Sequence, residues 1–266
     1  MKLVALVKPP KDPAAAASAL AAVTGSAMAE ARMRIAPEPP ALLARLPAES
    51  AEALVQTLRA AGMAALAIDE HEAGENRLLV RGFELRDDSI VFTSRMGDVE
   101  RFTGDEVLAI LRGASAIRSQ SEHTEKQTKF SPVKAALGVG LTTTRERTVR
   151  GSQEDSEQSI FVFARDGRAA LLRETQIELT GLGPLMQPSR TGNMVALAQE
   201  LKKRAPRAFY DERLLRLGRR PLPFIVGGEM QISVGSKAAQ TRTDTAGGLD
   251  ILAEVLRAAV TENLLP

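Results

Sequence analysis

The chain has 266 residues, 26% of them charged, with a formal net charge of +2 and no cysteine. Its length suits one to three domains whose cores need no covalent staples, and the missing cysteines exclude disulfides, thiolate metal sites and cysteine nucleophiles. No apolar run approaches the ~20 residues of a membrane span, and the opening segment lacks the basic flank and cleavage pattern of a signal peptide, so a cytoplasmic protein of bacterial type is expected.

Residues 2–8 form a nearly continuous apolar strand stopped by Pro9 and Pro10, because proline lacks the ladder donor and fixes φ. Asp12 before Pro13 marks a helix start, and an alanine-rich run with Leu20 and Val23 continues to Gly25, where a left-handed stop is expected. Ser26 is expected to cap a second helix through Met33, ended by Pro37, Pro39 and Pro40. Residues 41–46 suit a strand. Residues 47–61 carry Ala51, Leu54, Val55 and Leu58 on one helical face before Gly62, and residues 63–68 close the unit as another strand.

This order resembles the C-terminal domain of the bacterial ribosomal stalk protein. The resemblance is carried by ValThrGly at 23–25, AlaGluAlaArg at 29–32, SerAlaGluAlaLeu at 50–54 and AlaAlaGly at 60–62, near the spacing of that family's helix ends and faces. It implies a small α/β sandwich over residues 1–73 that acts by recruiting proteins. The family's recruiting surface is rich in lysine on the first two helices, whereas this chain has Ala14 to Ala17 and Ala27 to Ala31 there, with only Arg32 and Arg34 basic. A related sandwich occurs in the adaptor of an ATP-dependent protease, but its acidic amine-binding motif is not found here.

From Arg77 the pattern changes to short strands. Phe83 and Leu85 alternate, Asp87-Asp88-Ser89 turns, Ile90 and Phe92 alternate again, and Met96-Gly97-Asp98 leads into residues 99–102, giving a three-strand meander. Residues 107–111 fit either a strand or a short helix. The polar stretch 119–157 reads as a long mobile loop. A hairpin around Asp166-Gly167 joins residues 159–164 to 169–173, and Ser189 or Thr191 caps a helix with Met194, Leu197, Ala198 and Leu201 on one face. Hairpins closed by one helix resemble the pleckstrin-homology-like superfold, which implies an antiparallel β domain over residues 77–217 used as a docking platform. Residues 218–266 then read as a C-terminal extension: a polar, glycine-containing stretch over 229–248, and an amphipathic helix over 249–260 that packs on its own chain or forms a homodimer contact.

No catalytic constellation is legible. His71 and His123 sit in polar segments as solvated loop residues, Ser131 and Lys134 match a serine–lysine pattern only at chance level, and Gly138-Val139-Gly140 lacks the rest of a nucleotide fingerprint. No cofactor or metal is expected. Basic residues concentrate over 202–220, and Lys202, Lys203, Arg207, Arg216, Arg219 and Arg220 are the candidate binding residues. With one tyrosine, Tyr210, and no tryptophan, base-stacking platforms are scarce, so nucleic acid is disfavoured as a partner. The expected protein is therefore an α+β, non-enzymatic cytosolic adaptor or scaffold that binds other proteins. The alternative is a nucleic-acid- or ribosome-associated factor using the basic stretch.

Overall fold

The computed structural model describes residues 1–71, 74, 76–130, 142–225, 228–233 and 238–266, with side chains described outside 120–151 and 226–242. The fold is mixed α+β. Its first unit runs β1 (Lys2–Leu6), α1 (Pro13–Thr24), α2 (Met28–Ile35), β2 (Ala41–Leu46), α3 (Ala48–Ala60) and β3 (Ala65–Asp69). The three strands form an antiparallel sheet in the order β2-β1-β3.

Local chemistry sets these boundaries. Asp12 accepts hydrogen bonds from the amides of Ala14 and Ala15 at 2.9 and 3.0 Å, and Gly25, at φ 66°, donates to Ala21 O to close α1. The start of α2 differs from expectation. Ala27 occupies its cap position without a side-chain bond, while the Ser26 hydroxyl meets the Thr24 hydroxyl at 2.8 Å. Along β1, Val4 and Leu6 face the helices, whereas Leu3, Ala5 and Val7 face the opposite way into a second core. A strand covered on both faces reads as a continuous apolar run.

The second unit holds β4 (Arg77–Leu85), β5 (Ser89–Ser94), β6 (Val99–Thr103), β7 (Val107–Phe130), β8 (Thr142–Ala164), β9 (Ala169–Arg173) and a 3₁₀ turn (Leu179–Leu185). It continues with α4 (Arg190–Arg204), β10 (Phe209–Arg213), the single turn α5 (Leu214–Leu217), β11 (Gly228–Ser233), β12 (Ala238–Asp244) and α6 (Ala246–Thr261). The sheet order is β11-β12-β7-β8-β9-β4-β5-β6, with β10 also on β7. The expected antiparallel sheet is in fact mixed, because β4 runs parallel to β9 and β10 parallel to β7. The Asp-Gly hairpin forms as expected: Gly167 has φ 94° and the Ala164 amide donates to Arg168 O at 2.9 Å.

Two further expectations are corrected. Residues 119–157 are not a loop: 119–130 and 142–157 continue β7 and β8 as one antiparallel ladder. The pairing of β9 with β8 ends at Ser159, opposite Gly113, and the ladder of β7 and β8 runs on past it; residues 118–130 form an arm of roughly 43 Å at ~3.3 Å per residue, flanked by β12 as far as His123. His123 accordingly lies in a strand, while Ser131, Lys134 and Gly138-Val139-Gly140 lie outside the described residues. The polar stretch after 228 supplies the hairpin β11–β12, whose β12 pairs with β7 from Ile117 to His123. The 249–260 helix packs on its own chain, one of its two expected roles, with Leu249, Ile251, Leu252, Val255 and Leu256 buried.

That helix, α6, determines how the units join. One core combines Leu3, Ala5, Val7, Leu42, Leu66 and Ile68 of the small sheet with Leu111, Phe161, Phe163 and Leu171 of the large one, and α6 fills the space between them. A second core lies between the small sheet and α1–α3, and a third between the large sheet and α4. The first unit, from β1 to β3, therefore shares its core with residues far downstream. Gly113 permits the close approach of α6 to β7, since a Cβ there would stand 2.5 Å from Leu249 Cδ1. Thr245 fixes the start of α6: its hydroxyl accepts from the Ala116 amide at 2.9 Å, and its own amide donates to Ala116 O at 3.1 Å.

Candidate functional site

The structure distributes the six candidate basic residues rather than gathering them. Lys202 and Lys203 end α4, where cations offset the helix dipole, and the Lys202 ammonium lies 4.5 Å from the centre of the Tyr210 ring. Arg207 is exposed and 3.5 Å from Asp105 in the turn before β7. Arg216 reaches Glu38 of the first unit at 2.5 Å, and Arg219 meets Glu154 of β8 at 2.6 Å. Arg220 is exposed. The large sheet separates α4 from the α5 region, which packs into the core on the opposite face. Each of these arginine pairs joins segments far apart in sequence. Exposed pairs of this kind each contribute about 0–1 kcal/mol, so they trim the joint rather than hold it. Hydrogen bonds from Arg219 and Arg118 hold the Glu154 carboxyl below its ordinary pKa.

Tyr210 sits at the centre of a polar cluster on β10. Its hydroxyl donates to Glu212, which also accepts from Arg112 Nη1 at 2.7 Å, and Arg112 Nη2 donates to Gln158 Oε1 at 3.2 Å. Arg112 is buried, and its Nε has no partner among the described residues. Burial and then the bond to Glu212 push the Tyr210 hydroxyl up to about 12, and the Tyr210 bond is the main cause of the lowered Glu212 carboxyl. As this is the chain's one tyrosine, absorbance near 295 nm reports on it alone. Titration should place its ionisation near pH 12 in the native chain and near ~10 in denaturant. A raised pKa contributes stability that is complete below the unfolded value and is lost as pH rises through the folded one. The fold should therefore weaken across that alkaline window. Native ionisation near 10 would mean that the cluster is solvated.

A different surface stands out on the first unit. Residues 13–29 contain no charged side chain, and α1 and α2 expose Val23, Met28 and Met33 at 37%, 42% and 74%, as well as Ala14, Ala15 and Ala22. The buried sides of the same helices, Ala16, Ala17, Leu20, Ala31 and Ile35, face the core, so the outward methionines are not needed to complete it. Sequence reasoning noted this alanine content but passed over the methionines, whose exposure depends on which helical face is buried.

A cleft of about 380 Å³ opens between β3 and α6, lined by Ala67, Ile68 and Asp69 on one side and by Glu254, Arg257 and Thr261 on the other. Its rim bears both charge signs. Arg257 pairs with Glu254, and Glu262 pairs with Arg59.

Compared with known proteins, the chain matches no family model, no curated protein and no solved structure. Among the described residues no helix is long and apolar enough to cross a membrane.

Proposed function

We propose that this chain is a non-catalytic cytoplasmic adaptor or scaffold that binds a protein partner through the outer face of α1 and α2. The observation that carries this reading is the exposure of Val23 and Met28 on a stretch uncharged from 13 to 29, and of Met33 further along α2 among Glu30, Arg32 and Arg34, while the core beneath both helices is already complete. Exposed large apolar side chains that the chain's own core does not need mark interaction sites, and methionine adapts its shape to a partner at little cost. The resemblance of the first unit to the ribosomal stalk domain, which works by recruitment, points the same way. So does the likeness of the second unit's strand rhythm to pleckstrin-homology-like docking platforms. The nucleic-acid alternative gains no support from basic residues that sit on opposite faces of a sheet and pair with carboxylates.

The test is a salt-titrated capture experiment from native lysate with the full chain as bait. An apolar surface should keep its partner at high ionic strength, where charge-steered contacts fall away. The double variant Met28→Glu with Met33→Glu should lose that partner while its stability changes by no more than about 0.5 kcal/mol per site, the usual range for exposed positions. Retention of the same partner by the double variant would sink the assignment of this face.

A further inference from the structure

The register of the small sheet shows which edge groups of β3 are free. The Val7 amide donates to Ala64 O and the Glu70 amide to Met1 O, so the even-numbered residues of the 64–70 segment bond to β1. In an antiparallel ladder the intervening residues then turn their amides and carbonyls to the other side. For β3 these are Ala65, Ala67 and Asp69, on an edge that no strand covers among the described residues. Arg59 confirms the direction independently: its Nε donates to Ala65 O at 2.7 Å while its other arm pairs with Glu262 of the segment that follows α6. Ala65 is thus closed off. The main-chain groups of Ala67, and the amide and carbonyl of Asp69, have no hydrogen-bond partner among the described residues, and both residues line the cleft beside α6.

We propose that this cleft is a strand-addition site, in which an extended peptide segment of a partner pairs with Ala67 and Asp69 while α6 forms the opposite wall. This deepens the adaptor reading and rests on it, but uses a different surface from α1 and α2. The occupant is a thin, extended segment because the free edge lies inside a concave cleft rather than on an open flank. The distance between Ala67 and Asp69 is roughly 7 Å along a strand, so about three residues of peptide fit the site. Main-chain bonds supply the binding, as in other strand additions. The charged groups at the rim already balance one another, Arg257 with Glu254 and Glu262 with Arg59, while Lys2 pairs with Glu52, so recognition falls to main-chain pairing rather than to side-chain charge.

The experiment selects peptides from a phage-displayed random library on the full chain and measures their affinity for the chain and for Ala67→Pro. Proline at this position removes an amide that makes no bond to β1, and an outward-facing edge position tolerates it. Selected peptides should bind Ala67→Pro at least about tenfold more weakly. In the unaltered chain they should slow hydrogen exchange at the Ala67 and Asp69 amides, a measurement that stands even if the variant fails to fold. The proposal is overturned if no peptide is enriched, if the peptides bind without protecting those two amides, or if Ala67→Pro folds and binds them equally well. It is also overturned if the chain proves to be a dimer that Ala67→Pro dissociates, because the edge would then belong to a second copy. Loss of partner capture in the Met28 and Met33 variant, with peptide binding at β3 unchanged, keeps the two sites distinct.

Discussion

Arg77→Ala is expected to destabilise the chain by about 3–5 kcal/mol, the range for removing one partner of a buried ion pair. Arg77 stands at the start of β4 with its side chain only 3% exposed. Its Nη1 donates to Asp250 Oδ1 at 2.9 Å, its Nη2 donates to Asp250 O at 3.2 Å and approaches Glu254 at 3.4 Å, and its guanidinium lies 5.2 and 5.5 Å from the centres of the Phe161 and Phe163 rings. The guanidinium therefore ties α6 to the large sheet. Without it, the Asp250 carboxylate keeps only Arg173 at 3.7 Å among the described residues. Burial already raises the pKa of Asp250, against the lowering effect of Arg77 and Arg173. The sign follows: a carboxyl whose folded pKa is raised contributes stability that is complete below its unfolded value of ~3.9 and is lost as pH rises through the folded value. Removing Arg77 raises that folded value further, so urea denaturation should show a smaller deficit for the variant in mild acid than at pH 7. Arg77→Met combined with Asp250→Leu should recover most of the loss, since Glu254 keeps Arg257 and the one group that loses its carboxylate, Arg173, is partly exposed. A deficit below about 1 kcal/mol at neutral pH would show that water reaches the pair.

Legibility in the sequence tracked whether an element's signal is local. Asp12-Pro13 and Gly25 bound α1 through bonds within a few residues, and the Asp166-Gly167 turn carries its own backbone requirement, so both were readable. The arm was not, because pattern reading looks for an apolar side. Its register instead sets Glu122 opposite Arg150, Glu125 opposite Arg147 and Lys126 opposite Glu146. Residue types of opposite charge at paired ladder positions favour pairing, and that complementarity about residues 131–141 was the signal to use. The buried state of α6 was also legible in part. Apolar residues at 249, 251–253, 255 and 256 cover too much of the helix circumference for a surface helix with one apolar stripe. The pairing of Arg216 with Glu38 and Arg219 with Glu154, like the free edge of β3, depends on tertiary register that no window of sequence contains.

The second large effect is expected at Leu252→Ala, with a loss of about 2–5 kcal/mol, the range for truncating a buried leucine. Leu252 is fully buried in the core that α6 shares between the two sheets. Its surroundings cannot easily collapse into the space left behind: β7 already approaches α6 closely at Gly113, and Thr245 holds the start of the helix to Ala116 through two hydrogen bonds. The site thus retains a cavity, which puts the cost above simple transfer of the lost methyl groups. The manner of unfolding is as informative as the size of the loss. Leu3, Val7, Leu66 and Phe161 border one core with α6, so weakening that core loosens both sheets at once. Denaturation followed by amide exchange in β1 and β9 should therefore show one transition for both strands, shifted to lower urea with an unchanged slope. If β1 instead kept its protection after β9 had opened, the first unit would hold without α6, and the shared core would not be what joins the two halves of the chain.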